Sequence, residues 1–387
     1  MTDRYRAALL DWLACAARGA REPAAVAARA AGDGLLERVA AAGAAGHVLD
    51  FDDTYAPGLA HLSAPTAPAA LVLGAQLGAS TGAALRAYAA GFEAMGALAR
   101  ACHPALYDGG WHPTAVCGSA GAAVAAGCLL GLGREARATA IALALLRASG
   151  LRAAFGSDGK ALQVGQAAAA GVHAARLAAA GARADPRAVA GDQAGFAQAF
   201  GVPPGAATAD ALLDASGAIE DNWIKAHPCC LQTHAPIEAA LAAGAPPADS
   251  ARTVVTVHPV SRQAAALDAV RDGLEAKFSI PYLTAYALLH GAPGVDAFAT
   301  VDEEAAALGA RVAVRTDPAF APDEALLQFD GRAAARIAAP RGCPANPLGG
   351  AALRSKVRAL AGDALDGALD DPRRPARDVL AAIAAVE

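Results

Sequence analysis

Apolar residues recur three and four positions apart over most of residues 1 to about 215, a period typical of helices that bury one face. Gly, Pro, Ser and Asp separate these stretches and mark their ends. The pattern predicts helices over 4–17, 22–31, 34–50, 67–74, 82–102, 113–132, 134–150, 160–180 and 186–200. Small residues at helical spacing indicate helices that pack closely. They are Gly118, Gly121 and Ala125 in one predicted helix and Gly165, Ala168 and Gly171 in another.

The pattern changes after Asp221, where the first runs of β-branched residues occur. Helical spacing then returns from about residue 349 to the end of the chain. The predicted elements are strands over 253–258, 310–315 and 335–338, and helices over 264–271, 281–290, 349–361 and 376–386. We therefore predict a mostly α fold, in which a large all-helical domain (1–218 plus 342–387) carries an inserted, smaller α+β lid domain (219–341).

Composition and charge narrow the class of protein. Hydrophobic residues make up 55% of the chain but aromatic residues only 5%, which favours tightly packed, alanine-rich helices. The net charge of −5 gives no basic surface for nucleic acid or anionic membranes. The most apolar run, 118–133, is short and rich in Gly and Ala, so we expect a core helix there and no membrane span. Seven cysteines without zinc-site spacing indicate the reduced thiols of a cytoplasmic protein.

The densest group of ionisable residues lies in 46–63. Three carboxylates and two imidazoles occur there: Asp50, Asp52, Asp53, His47 and His61. If 47–54 is helical, His47, Asp50 and Thr54 share one face, and a proton donor and acceptor line one wall. Asp52 and Asp53 then point elsewhere, which suggests caps or helix-end charges. His61 follows a turn at 56–58 and can fold back toward this face.

Two further stretches carry candidate chemistry at helix starts. His112 precedes Pro113, which suits a first helical turn, so His112 is either a catalytic group or a helix cap. Lys160 follows a Gly-Ser-Asp-Gly turn and opens the next predicted helix. A lysine beside a helix N-terminus can bind a carboxylate, although the same residues also suit a plain surface turn.

Two more candidates lie after the change of pattern. His227 and His234 flank vicinal cysteines in 222–234, but their separation and the lack of an acidic residue in this stretch argue against a metal site. Tyr282 opens a predicted helix, where it can either reach a cleft or fill the core.

Taken together, five motifs resemble the MmgE/PrpD family, and they occur in the order found in that family over most of the chain. The motifs are LDFDDT at 49–54, GWHPT at 110–114 followed by GxxGAA, GSDGKALQVGQAAAAGVHAARLAAAGA at 156–182, KxHPCCxxTHxxIxA at 225–239 and KFSIPY at 277–282. The family includes 2-methylcitrate dehydratase, cis-aconitate decarboxylase and iminodisuccinate epimerase. The resemblance implies a helical domain, a lid domain, a cleft between them, a homodimer, and catalysis without metal or organic cofactor.

The resemblance also implies roles for individual residues. The family's pocket positions match residues here, and of these we expect four to be catalytic: His61, His112, Asp50 and Tyr282. We expect the other four to bind substrate: Lys160, Thr54, His234 and His227. In this scheme His61 and His112 are the acid/base pair, Asp50 orients one of them, and Lys160 anchors a substrate carboxylate. A tricarboxylate would require further cations from the lid, such as Lys225, Lys277 or Arg315.

The expected reaction is proton transfer at a carbon next to a carboxylate. The leading hypothesis is a lyase that dehydrates a 2-methylcitrate-like hydroxy polycarboxylate. The alternatives are a decarboxylase or epimerase on the same scaffold and, in another class, a catalytically silent binding protein. One departure from the family is the segment His61-Leu62-Ser63, where relatives commonly have His-Pro-Ser. The loop that holds His61 is therefore expected to differ.

Overall fold

The computed structural model describes residues 3–189, 194–203, 205, 207–245 and 252–384. About 58% of the chain is helical and 9% is strand, which confirms the mostly α fold with a smaller α+β part. The helices of the first part are α1 Asp3–Gly19, α2 Pro23–Ala30, α3 Leu35–His47, α4 Ser63–Gln76, α5 Thr81–Cys102, α6 Ala105–Asp108, α7 Pro113–Leu129, α8 Arg134–Leu145, α9 Gly159–Ala179, α10 Phe196–Ala199 and α11 Ala209–Leu213.

The α+β part begins after a two-stranded ribbon of β1 (Thr54–Tyr55) and β2 (Asn222–Trp223). Its helices are α12 His234–Ala243, α13 Pro259–Ala264, α14 Gly273–Ala276, α15 Ile280–His290 and α16 Glu303–Gly309. Its strands are β3 Thr253–Val257, β4 Val312–Thr316, β5 Ala325–Phe329 and β6 Arg332–Ile337, in the order β4-β3-β5-β6. Only the β3–β4 pair is parallel among these strands. Two helices, α17 (Gly350–Ala361) and α18 (Ala376–Ala384), return to the helical part.

Each part has its own apolar core. The larger core joins α1 through α11 with α17 and α18, and the smaller core lies between the four-stranded sheet and the helices α12 and α15. The domain boundaries at 218/219 and 341/342 stay a prediction.

Glycine contacts explain how the alanine-rich helices approach one another. A Cβ atom on Gly165 would lie 2.1 Å from the carbonyl oxygen of Ala40, and one on Gly171 would lie 2.4 Å from that of Ser119. A side chain at either position would therefore push α9 away from α3 or α7. This agrees with the close packing that the small-residue spacing indicated.

The most apolar stretch forms the centre of the helical part. All residues of α7 from Pro113 to Gly127 are buried, as expected for a core helix. Within the described ranges, no helix combines the length and apolarity that crossing a membrane requires.

Several predicted elements are wrong. The predicted helix over 264–271 does not form, because Ala266 bridges to Ser279 and the Leu267 amide donates to the Phe278 carbonyl. The predicted helix 186–200 is replaced by a 3₁₀ turn at Pro186–Ala188 and by α10, and residues 190–193 between them lie outside the described residues. The predictions also omitted the helices α6, α11, α12, α13, α14 and α16 and the strands β1, β2 and β5.

The predicted helix over 34–50 ends early, and the helical conformation considered for 47–54 does not form. The helix α3 ends at His47, and Asp50 has a left-handed backbone with φ of +52°. This conformation ends a right-handed helix and reverses the chain. The following residues then enter β1 instead of adding another helical turn.

Candidate active site

The turn after α3 brings the ionisable residues of 46–63 together by a route that helical spacing did not predict. In the β1–β2 ribbon Thr54 pairs with Trp223, and the Tyr55 amide donates to the Ala60 carbonyl at 2.7 Å. This tight turn returns His61 to His47, and the two ring centroids lie 4.5 Å apart.

Asp50 is paired with two lysines that are distant in sequence. Its Oδ1 atom lies 3.0 Å from Lys160 Nζ and 2.8 Å from Lys225 Nζ. Burial acts to raise the pKa of Asp50, but the two ammonium groups hold it well below its usual range. Asp50 is therefore a carboxylate, and its Oδ2 atom is buried without a hydrogen-bond partner among the described residues.

Three buried lysines also hold the backbone on which Asp50 sits. Each donates to one of three successive carbonyl oxygens: Lys277 to Leu49 at 2.8 Å, Lys225 to Asp50 at 3.0 Å and Lys356 to Phe51 at 2.7 Å. These lysines come from the α+β part, from the segment after β2 and from α17. The left-handed turn is thus fixed by three separate regions of the chain.

Asp52 is a carboxylate shared by two histidines, so its prediction as a cap or helix-end charge is wrong. It is fully buried, and its Oδ2 atom lies 3.0 Å from His47 Nδ1 and 3.2 Å from His61 Nδ1. Burial acts to raise the pKa of Asp52, but the two imidazoles lower it overall. Because a carboxylate only accepts hydrogen bonds, His47 donates to it from Nδ1. His61 lies between two carboxylates, since its Nε2 atom is 3.5 Å from Asp50 Oδ1, and its Nδ1 atom is also 3.4 Å from Thr54 Oγ1.

Among the described residues, the side chains of His47, Asp52 and His61 form a group that could hold a metal ion. The ligand atoms of His47, Asp52 and His61 lie within 4.8 Å of one another.

His112 occupies the N-cap position of α7, but its side chain does not cap the helix. Its Nδ1 atom instead lies 2.6 Å from Gln163 Nε2 on α9. The ring stacks on His47 at 6.0 Å between centroids and meets the edge of Phe155 at 5.0 Å. Burial, followed by the positive charge of Lys160, lowers the pKa of His112 well below its usual value.

These groups surround a cavity of about 40 Å³. Five predicted site residues line it: Asp50, Thr54, His61, His112 and Lys160. A second cavity of about 20 Å³ lies behind them and shares Asp50, Lys160 and Phe278 with the first. Lys277 and His47 line this second cavity.

Three predicted residues lie outside this lining. Tyr282 is buried in the core of the α+β part, where its hydroxyl accepts a hydrogen bond from the Asp302 amide at 3.0 Å. His227 lies 2.9 Å from the Glu238 carboxylate, and its ring is 5.1 Å from that of His234. Both ring nitrogens of His234 are buried without a partner among the described residues. The structure therefore does not bring Tyr282, His227 or His234 to the cavity.

Sequence reasoning missed the partners that orient the imidazoles. Gln163 follows Lys160 by three positions, so both lie on one face of α9, and that spacing could have identified it. Lys225 had been noted only as a possible extra cation. It is the first residue of the KxHPCC motif, and its ammonium group donates a hydrogen bond to the Asp50 carboxylate.

Comparisons with known proteins agree with the motifs. The model of the MmgE/PrpD N-terminal domain matches residues 36–208, and that of the MmgE/PrpD C-terminal domain matches residues 227–380. No curated protein sequence matches the chain. The matched regions contain all of the cavity residues described above.

Proposed function

The chain belongs to the MmgE/PrpD family, a family of the dehydratase and lyase type, and from this premise we propose that it dehydrates a small hydroxy polycarboxylate resembling 2-methylcitrate. The reaction would use general acid–base catalysis without a metal or organic cofactor. The observation that carries the proposal is that the Nδ1 atoms of two imidazoles at one cavity face chemically opposite groups. Nδ1 of His61 faces a carboxylate, whereas Nδ1 of His112 faces an amide NH₂ group.

His61 is assigned as the base. We assign its Nδ1 hydrogen to the side of Asp52, whose Oδ2 atom lies 3.2 Å away. The lone pair of Nε2, 3.5 Å from Asp50 Oδ1, then removes a proton from the carbon next to a substrate carboxylate. Burial lowers the pKa of His61 to about 3 in the unliganded protein. A bound anionic substrate adds negative charge beside the ring and raises this pKa, which makes His61 a stronger base in the complex. The role of orienting a histidine thus passes from Asp50 to Asp52.

Lys160 and His112 are assigned to the developing negative charge. Lys160 Nζ bonds to Asp50 and has further N–H groups for a substrate carboxylate. His112 is a neutral donor through Nε2–H, so it stabilises charge that spreads onto the carboxylate when the α-proton leaves. The roles in the predicted acid/base pair therefore change: His61 transfers the proton, and His112 donates a hydrogen bond.

The second half of the elimination follows from the same groups. As the carbon–carbon double bond forms, the carbon–oxygen bond breaks, and the proton on His61 passes to the departing hydroxyl to give water. Asp50 Oδ2, which has no partner among the described residues, can accept a hydrogen bond from that hydroxyl beforehand. Thr54 Oγ1, 3.4 Å from His61 Nδ1, supports the ring at the same wall.

Substrate entry requires motion of the α+β part. A cavity of about 40 Å³ is far smaller than a polycarboxylate, since it has room for only a few water molecules. Phe278 and Cys230 of the α+β part belong to its lining. We therefore infer that this part moves as the predicted lid. A cytoplasmic homodimer remains the expected assembly and location.

A decarboxylase or an epimerase is the alternative on this scaffold. One imidazole with a free lone pair and one neutral donor also suit a reaction in which carbon dioxide leaves or a proton returns to the other face. His227, His234 and Tyr282 remain candidates for contacts that form only after the lid moves.

The test is incubation in deuterated buffer with hydroxy polycarboxylates, cis-aconitate and iminosuccinates. Alkene absorbance, carbon dioxide release and deuterium incorporation then separate dehydration, decarboxylation and epimerisation. We expect alkene from a hydroxy polycarboxylate, and none from the His61→Asn variant. If none of the three signals appears with any acid and no acid raises the melting temperature, the enzymatic proposal is wrong and the binding-protein hypothesis returns.

A further inference from the structure

The oxygen and the nitrogen of the Gln163 side-chain amide both bond to the backbone of Leu151. Its Oε1 atom accepts from the Leu151 amide at 3.0 Å, and its Nε2 atom donates to the Leu151 carbonyl at 3.2 Å. Because Leu151 offers one donor and one acceptor, a flipped amide would place like groups against each other at both contacts. The orientation of the Gln163 amide is therefore fixed.

The same amide nitrogen lies 2.6 Å from Nδ1 of His112. An amide nitrogen has hydrogens to donate and no lone pair to accept with, so Nδ1 must be the acceptor. In a neutral imidazole with an accepting Nδ1, the ring hydrogen is on Nε2. We propose that Gln163 is a positioning residue that fixes His112 as the Nε2–H tautomer and so makes it a hydrogen-bond donor to the cavity.

The backbone around this contact holds the two side chains in register. Trp111 and Leu151 form an isolated antiparallel bridge, and the His112 amide donates to the Gly150 carbonyl at 3.0 Å. Gly150 has φ of +128°, and a Cβ atom there would lie 2.5 Å from Ala115 Cβ. The segment at 150–151 thus lies against the start of α7, and movement of Gln163 relative to His112 is restricted.

His112 and His61 therefore differ in the group that faces their Nδ1 atom. Nδ1 of His61 lies 3.2 Å from a carboxylate oxygen of Asp52, whereas Gln163 donates to Nδ1 of His112. The Gln163 N–H also opposes a second proton on His112, because Nδ1 would then carry a hydrogen directed at another hydrogen. His112 is therefore kept as a neutral donor rather than an imidazolium.

The tautomer can be measured without substrate. Protein labelled with ¹⁵N-histidine is studied by long-range ¹H–¹⁵N correlation spectra, and the His112 signals are identified by their loss in His112→Asn. We expect an unprotonated Nδ1 and a protonated Nε2 in the wild type. Gln163→Glu replaces the NH₂ group by an acceptor, so Nδ1 of His112 should then carry a hydrogen.

The matched control is Gln166→Glu, which makes the same change at an exposed position three residues further along α9 and should leave the His112 signals unchanged. A wild-type ring protonated on Nδ1, or a Gln163→Glu spectrum identical to that of the wild type, would overturn the proposal. The wild-type spectrum distinguishes the two tautomers even if Gln163→Glu does not fold.

Only the measurement of enzyme activity rests on the proposed function. With an acid that the wild type turns over, Gln163→Glu should lower kcat by about a hundredfold and change KM much less, because the lost donor acts on charge that develops during the reaction. Unchanged turnover despite a changed tautomer would overturn the role of His112 as donor. If no acid is turned over while the tautomer changes as expected, the proposed function fails and the assignment of Gln163 stands.

Discussion

The Nζ atom of Lys277 lies 2.8 Å from the carbonyl oxygen of Leu49, and this hydrogen bond joins the α+β part to the turn that carries Asp50. The ammonium also donates to the Pro228 carbonyl at 2.8 Å and faces the Phe298 ring. Both acceptors are neutral, and burial lowers the pKa of Lys277 to about 8. The nearby Asp50 carboxylate acts against burial and raises this pKa, so the charge is retained at neutral pH.

Lys277→Met should lower the free energy of unfolding by roughly 2 kcal/mol. Each buried carbonyl left without a donor costs about 1–3 kcal/mol, and relief from burying the charge offsets part of the loss. Urea unfolding measures this change, and amide hydrogen exchange over 47–54 should accelerate with it.

The control for this variant is Arg354→Met, which removes an exposed cation from α17. It should change the free energy of unfolding by less than about 0.5 kcal/mol. Equal effects of the two substitutions would show that the Leu49 contact contributes nothing.

The composition already contained a signal for this arrangement. The chain has only four lysines among 32 basic residues, so arginine supplies almost all of the surface cations. All four lysines are buried, and all four donate to residues of the 49–51 turn: Lys160, Lys225, Lys277 and Lys356. A residue type this rare in an arginine-rich chain indicates positions where a compact ammonium is required. Sequence reasoning used Lys160 as an anchor and overlooked the set.

Asp52→Asn should lower turnover by about a hundredfold or more. The new amide side chain would present either an NH₂ group or a neutral oxygen to two imidazoles that now share one carboxylate, so His61 would lose its fixed tautomer. Steady-state kinetics measures the loss, and ¹⁵N spectra of the His61 ring should show a hydrogen that is no longer confined to Nδ1. Full turnover with an unaltered His61 spectrum would contradict the assignment of Asp52.

His112→Ala and Lys160→Ala should each lower turnover at least about a hundredfold, on the usual scale for acid–base and electrostatic groups. Lys160→Ala should also weaken binding of the acid, because the substrate carboxylate loses its nearest cation. Steady-state kinetics and calorimetric titration separate the two effects. Arg176→Ala, an exposed change in the last turn of α9, is the matched control and should behave like the wild type.

Local periodicity predicted most of the helices, because an apolar face is recorded in neighbouring residues. It failed at 264–271, where Leu267 and Ala266 pair with residues beyond α14, since such pairing depends on the path of the chain. The site likewise combines features that the sequence predicts with features that depend on the path of the chain. Motifs identified the residues that line the cavity, but the left-handed Asp50 turn decides which carboxylate meets which imidazole. No helical spacing could place Asp52 between His47 and His61.

Asp53 is another buried carboxyl group of this turn, and it should make the stability of the protein depend on pH. Its Oδ2 atom accepts from Ser63 Oγ at 2.9 Å and Asn222 Nδ2 at 2.8 Å, and burial together with the charge of Asp52 raises its pKa from 3.8 to about 8. Between these two values the folded protein binds more protons than the unfolded chain, so this group makes stability fall as pH rises. Asp53→Asn cannot titrate, and its amide keeps an oxygen for the same two donors.

The Asp53→Asn variant should therefore gain stability relative to the wild type as pH rises from 5 to 8. Urea unfolding at pH 5, 6.5 and 8 measures both proteins in the same buffers, so the shared titration of the histidines cancels in the difference. A difference that stays constant over this range, or that turns against the variant at pH 8, would show that Asp53 is already ionised in the folded protein. In that case two adjacent buried carboxylates would be charged, and Asn222 and Ser63 would have to stabilise the second charge.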